Sequence, residues 1–128
     1  MLAIDTNVLV RFLVADDADQ HARAVAAISQ GAWIATTVLL ETEWVLRSYY
    51  RQPQTRIIEA FRGVSALPSV RLEHPERVSD ALDAAERGLG IADALHRAAA
   101  TTCDAFVTFD QDLIRAAARV GGVITRQP

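Results

Sequence analysis

The chain has no lysine; all thirteen of its basic side chains are arginine. With the heavy use of alanine, this reads as a coding bias rather than a functional signal. There is one cysteine, Cys103. It excludes an internal disulfide and fits a reducing compartment. Its expected place is a small buried position ahead of a strand. The three histidines, His21, His74 and His96, are scattered and fit no ligand spacing, which argues against a zinc site. There is no glycine-rich phosphate loop and no G-x-S-x-G elbow, so two common routes to phosphate binding and nucleophilic catalysis are missing. No apolar run is long enough to span a bilayer. The first residues carry no basic region and meet an acid at Asp5, unlike a signal peptide. A soluble cytoplasmic protein is expected. The net charge of -3 and pI near 5.5 give no bulk attraction to nucleic acid. Any such contact must be local, and a bound metal is one way to make it.

What is present is a 128-residue chain, 51% hydrophobic, long enough for a real core and expected to form a single domain over residues 1–128. It opens on Leu2 to Ile4, a short apolar run read as a buried strand that stops at Asp5, Thr6 and Asn7. Further strands are expected at Ala32–Ala35, Val70–Leu72, Ala105–Thr108 and Val123–Thr125. Helical periodicity predicts helices over 7–15, 18–29, 38–50, 54–66, 75–87, 91–102 and 113–120. The second should bury Ala22, Val25, Ala26 and Ile28. Thr36 and Thr37 should cap the third, and the last residues, Arg126 to Pro128, should fray. Strands alternating with helices describe an α/β fold with a central, mainly parallel sheet flanked by helices. In such sheets ligands bind beyond the carboxyl ends of the strands, where Asp5 and Asp110 would share an edge.

Each acid has a local explanation. Glu43 reads as an ordinary surface pair with Arg47, one helical turn on. Glu41 has Val38 and Val45 in its stripe, so its carboxylate is expected to be buried and to need a cation or a distant arginine. Asp93 lies in a first helical turn within reach of Arg97. Asp110 reads as a helix N-cap and Asp112 as a first-turn acid. Asp16, Asp17 and Asp19 read as a solvated turn, and Asp80, Asp83 and Glu86 as solvated helix surface. Taken together, Asp5, Glu41, Asp93 and Asp110 form a pattern: two end strands, and two open helices expected to begin at the same sheet edge. Carboxylates gathered without countercharge repel one another, and a divalent cation relieves that. Oxygen ligands without a His or Cys cluster favour Mg²⁺ or Mn²⁺ over Zn²⁺.

Asp5-Thr6-Asn7, Leu40-Glu41, Ala92-Asp93-Ala94 and Thr108-Phe109-Asp110-Gln111-Asp112 resemble, in order and spacing, the acidic motifs of PIN-domain ribonucleases. The closest likeness is to the VapC-type toxins of bacterial toxin–antitoxin pairs, and it covers essentially the whole chain. The resemblance implies a three-layer PIN-like fold and a Mg²⁺-dependent endoribonuclease. It also implies a homodimer, held inactive by a small VapB-like antitoxin. Carried over residue by residue, Asp5, Glu41, Asp93 and Asp110 would form the acidic metal site. Asp112 matches a further acid of the last motif, and Thr6, Asn7 and Thr108 match the polar positions that support the site. Gly90 stands where relatives often carry another acid, which bears on a second metal site.

The implied chemistry is metal-assisted phosphodiester hydrolysis of RNA, with no membrane involved. Arg11, Arg47, Arg51 and Arg97 are candidate phosphate contacts. Trp44, Tyr49 and Tyr50 are candidates for base stacking or for core, dimer or antitoxin contacts. A metal phosphoesterase acting on DNA or a small ester is a second reading. A non-enzymatic phosphoreceiver-like module is a third; it would need a lysine, and there is none.

Overall fold

Short apolar runs alternate with amphipathic segments along this chain, and they fold into five strands and seven helices. The structure is a computed structural model that describes all residues from Met1 to Pro128. The chain divides into two compact units, Met1–Pro75 and Glu76–Pro128. The fold is mixed α/β, with parallel strands flanked by helices, as expected.

In the first unit, β1 (Leu2–Ala3), β2 (Ala32–Ile34) and β3 (Val70–Leu72) form a parallel sheet in that order. Leu2 pairs with Ala32, and Trp33 with Arg71. Two further bonds extend the first ladder at either end: Leu2 N donates to Gly31 O at 2.8 Å and Ile4 N to Trp33 O at 3.1 Å. The backbone therefore stays tied to the sheet as far as Ile4, and Asp5 is the first residue released. Gly31 leads into β2 at φ +113°, a conformation that L side chains rarely adopt.

The helices of this unit are α1 (Thr6–Leu13), α2 (Ala18–Ser29), α3 (Thr36–Ser48) and α4 (Gln54–Ser65). Helix α1 packs on α2 and α3, α3 on α4, and α4 on β3. Leu9, Ile28, Ile34, Leu39, Leu46, Ile57 and Phe61 are buried. Each contributes about 1.5–3 kcal/mol of hydrophobic stabilisation relative to an exposed position. In α2 the buried face is narrower than expected: Ala24 and Ile28 are buried, whereas Ala22, Val25 and Ala26 are exposed. With so many alanines, the periodicity in α2 does not single out one face. The start of α3 also differs. No side chain caps it, and Thr36 lies inside the helix. Its amide instead donates to Glu73 Oε1 at 2.9 Å. A carboxylate just beyond β3 thus meets the positive end of α3.

The second unit holds most of α5 (Pro75–Glu86), then α6 (Ile91–Ala99), β4 (Phe106–Val107), α7 (Gln111–Ala117) and β5 (Thr125–Arg126). Strands β4 and β5 are parallel, with Phe106 opposite Thr125 and Val107 opposite Arg126. The hydrogen bonds therefore divide the strands between two parallel sheets rather than one. Arg126, expected to fray, is held in β5. Strand β4 is not fully buried; Val107 is half exposed. Helix α6 ends at Ala99, earlier than predicted, and Cys103 falls in the exposed turn that follows rather than in the core.

Arg97 is the main polar anchor of this unit. It is buried, its Nε donates to Thr125 Oγ1 at 2.8 Å, and its Nη2 donates to the carbonyls of Gly121 at 2.8 Å and Val123 at 2.9 Å. Burial holds its pKa below the usual arginine value. It neither pairs with Asp93 nor stands free for a phosphate, contrary to expectation. The small side chains of α6 let the guanidinium sink to the turn before β5. There it finds three oxygen acceptors, which a buried cation needs.

Candidate active site

Asp5 is placed by two local events. Strand β1 ends at its backbone, and α1 begins at the next residue. Asp5 is the N-cap of α1, and its Oδ1 accepts from Thr6 N at 2.8 Å. That bond fixes the carboxylate and leaves Oδ2 for another partner. Thr6 is buried, and its Oγ1 has no hydrogen-bond partner. A buried hydroxyl left unpaired costs about 1–3 kcal/mol. Here it lies directly after the candidate acid.

Asp5, Thr6, Asn7 and Glu41 line one cavity of about 450 Å³, with Arg11, Asp16, Trp44 and Tyr50 also in its wall. Glu41 comes from the second turn of α3. The sequence predicted a buried Glu41 and a solvated Glu43, and the structure reverses them. Glu43 is buried and accepts from Arg47 Nε at 2.7 Å, while Glu41 is exposed to the cavity. The reason is the face that α3 buries: Leu39, Thr42, Glu43 and Leu46, spaced i, i+3, i+4 and i+7. Val38 and Val45, which suggested a buried stripe around Glu41, are only half buried. Val45 belongs to the cavity wall.

Asp16 was read as part of a solvated turn, but it joins two elements of this wall. Its Oδ1 accepts from Arg11 Nη1 at 2.9 Å and its Oδ2 from the Tyr50 hydroxyl at 3.0 Å. The Tyr50 bond, followed by Arg11, holds the Asp16 carboxyl below the usual carboxylate range. Burial and the Asp16 carboxylate push the Tyr50 phenol up. Arg11 Nε also donates to Gln20 Oε1 at 2.7 Å. No local sequence signal joins Asp16 to Tyr50, thirty-four positions apart. Trp44 and Tyr49 are 59% and 76% exposed, so neither is core.

The second unit presents its acids separately. Asp110 is the N-cap of α7, its Oδ1 accepting from Leu113 N at 3.0 Å. Thr108 Oγ1 in turn accepts from Asp110 N at 3.0 Å. Asp5 and Asp110 therefore share one device, with a single oxygen committed to a helix-start amide. Asp93 is half buried in the first turn of α6, with Gly90 as N-cap. A Cβ at Gly90 would lie 3.7 Å from Asp93 Oδ2, so that approach to the carboxylate is open. Asp112 is exposed and paired with Arg115. No three His, Cys, Asp or Glu side chains form a ready-made metal cluster. The donors facing the first unit's cavity are carboxylate, amide and hydroxyl oxygens, a hard set that suits a divalent cation of the Mg²⁺ type.

The fold releases oxygen donors just beyond the end of its first strand, where ligands bind in open α/β sheets. The PIN domain profile matches residues 2–119, and the chain belongs to the PIN-domain family, whose members are typically metal-dependent nucleases. No curated protein matches the chain. No helix is long and apolar enough to cross a membrane.

Proposed function

We propose that this protein is a Mg²⁺-dependent endoribonuclease of the cytoplasm. In this reading it is the toxin of a toxin–antitoxin pair, acts as a homodimer, and is silenced by a VapB-like antitoxin. The observation that carries the nuclease reading is the pairing of Asp5 and Glu41 on one cavity, beside the Thr6 hydroxyl and the Asn7 amide, in a chain of this family. The toxin reading rests on the order and spacing of the acidic motifs.

Asp5, Glu41, Asp93 and Asp110 are the residues proposed to hold the cation, with Asp112 as a further candidate. Mn²⁺ would suit the same donors. A cation bound by these residues would acidify a water and screen the phosphate. The protein's own contribution is positional. The Thr6 amide orients Asp5, and Leu113 N and Thr108 orient Asp110 and its backbone. Thr6, Asn7 and Thr108 form the polar surround. Glu41 is exposed on the cavity wall; in this reading it would hold the cation or accept a proton from the attacking water. Asp5, Asp16 and Glu41 outnumber the one arginine of this cavity, so a phosphate entering without a cation would be repelled.

The test is cleavage of labelled RNA, DNA and a simple phosphodiester, with Mg²⁺ and with chelator. RNA cut only with the cation supports the proposal. Preference for DNA or the simple ester would make the protein a different phosphoesterase. No cleavage of any substrate would remove the enzyme reading.

A further inference from the structure

Within the second unit, α5, α6 and the turn ahead of β5 enclose a cavity of about 370 Å³. That lies at the lower end of the range for small-molecule sites, about 300–1,000 Å³. The lining is also of the kind such sites have, an apolar wall with a few polar groups. Ala84, Ala94, Ala98, Val120 and Val123 supply the apolar part. Arg97 is its buried polar group, and no residue of this wall belongs to the acidic cavity beyond β1.

Arg97 is not a free surface arginine, yet its hydrogen bonding is incomplete. A guanidinium carries five N–H groups. Nε uses one on Thr125 Oγ1, and Nη2 uses two on the carbonyls of Gly121 and Val123. The two on Nη1 have no partner in the protein. Nη1 is not sealed from solvent either, since the enclosed side-chain atoms without a partner are the hydroxyls of Thr6, Thr36 and Thr42. All three acceptors of Arg97 are neutral, and no carboxylate forms an ion pair with it. Gly121 and Gly122, at φ +72° and +82°, shape the turn that presents two of those acceptors. The cavity wall therefore holds a cation only 6% exposed, fixed in orientation, without countercharge and with two donors open. A buried charge in that state is costly until a partner reaches it.

We propose that this cavity binds a small organic monocarboxylate, its carboxylate on Nη1 of Arg97 and its apolar body against the alanines and valines. The oxyanion brings both the acceptor and the charge that Arg97 lacks. The rest of the wall limits the ligand's charge. Asp80 and Asp83 stand against Arg87 and Arg97, so the wall is close to neutral overall. A dianion or a nucleic-acid strand would meet two carboxylates as it met the arginines, and a monoanion suits the balance better. The site is separate from the proposed nuclease centre and does not depend on the ribonuclease reading.

The test is an amide NMR titration of the full chain with acetate, butyrate and hexanoate. Signals of Arg97, Ala98 and Gly121 to Val123 should shift and saturate, and affinity should rise about fourfold for each added CH₂. Methyl butyrate, with the same body and no charge, should bind at least about tenfold more weakly than butyrate. Inorganic phosphate should also bind more weakly than butyrate. Ala98→Leu, which fills the cavity and leaves Arg97 in place, should keep a dispersed amide spectrum and lose the shifts. If methyl butyrate binds as tightly as butyrate, the oxyanion anchor is overturned. If phosphate binds more tightly than butyrate, the monocarboxylate assignment is overturned. If no acid gives a saturable shift at these residues, or Ala98→Leu binds butyrate like wild type, the site itself is overturned, whatever the outcome for RNA. The comparison of butyrate with its ester uses wild type alone, so it decides the matter even where Ala98→Leu does not fold.

Discussion

Glu43 is buried against the core of the first unit, and its Oε1 accepts a 2.7 Å hydrogen bond from Nε of Arg47, one turn further along α3. Arg47 is half exposed, so the pair spans the boundary between core and solvent. Arg47→Met should therefore leave a buried carboxylate without its cation. The loss of stability should be about 1–3 kcal/mol, below the range for fully buried pairs because solvent reaches the arginine. Urea denaturation measures it. In the Arg47→Met background, Glu43→Leu should recover most of the loss, since an apolar side chain there needs no partner.

Thr42, beside Glu43 on the same buried face, is fully buried, and its hydroxyl has no hydrogen-bond partner. Thr42→Val keeps the shape and β-branching while removing the unpaired group. It should stabilise the protein by about 1 kcal/mol. A loss of stability on urea denaturation would show that the hydroxyl has a partner in solution.

The bond between Tyr50 and Asp16 predicts a pH effect whose sign follows from the shift. The Asp16 carboxyl is depressed in the folded state, first by the Tyr50 hydroxyl and then by Arg11. Its contribution to stability is fully present above the unfolded value of about 4 and is lost as pH falls through the lower folded value. Tyr50→Phe should raise the Asp16 pKa toward its ordinary value and shrink this acid-side loss. Carboxyl titration by NMR gives the direction, and an unchanged Asp16 would mean that the Tyr50 bond does not form in solution.

Cation binding should also appear as stability. Ligand that binds only the folded state stabilises it by RT ln(1 + [L]/Kd), about 1.4 kcal/mol at a tenfold excess over Kd. Mg²⁺ should raise the melting temperature of the wild type by several degrees, and Asp5→Asn should remove most of that rise. An equal rise in both proteins would place the cation elsewhere.

Much of this architecture was legible from residues alone. The strand of apolar residues ending at Asp5 was readable because an acid, a hydroxyl and an amide interrupt it at once, but Leu2 and Ala3, expected to be buried, are exposed, and only Ile4 is buried. Strands β2 and β3 were readable because Gly31 and Pro68 set off their apolar runs. The capping role of Asp110 was visible in its position ahead of the last helix. The two faces of α3 were not separable, because Val38, Leu39, Leu40, Val45 and Leu46 put apolar residues on several sides. The choice between them depended on packing against α1 and α4, which periodicity does not contain. Arg97 was misread for a related reason: its acceptors are carbonyls of a turn about twenty-five residues away, and a carbonyl leaves no mark in a sequence. The link between Asp16 and Tyr50 is likewise tertiary, as is the pairing of β4 with β5 in a separate sheet.

Asp5, fixed at the end of β1 by the Thr6 amide, is the residue on which the proposed cation-dependent cleavage of RNA turns. The most direct test compares wild type and Asp5→Asn in cleavage of a labelled single-stranded RNA with Mg²⁺, with circular dichroism to verify that both fold. The wild type should cut the RNA, and chelator should stop it. Asp5→Asn should fold and show cleavage reduced by at least about a hundredfold, the scale on which an essential catalytic interaction is lost. Cleavage by Asp5→Asn at the wild-type rate would contradict the account.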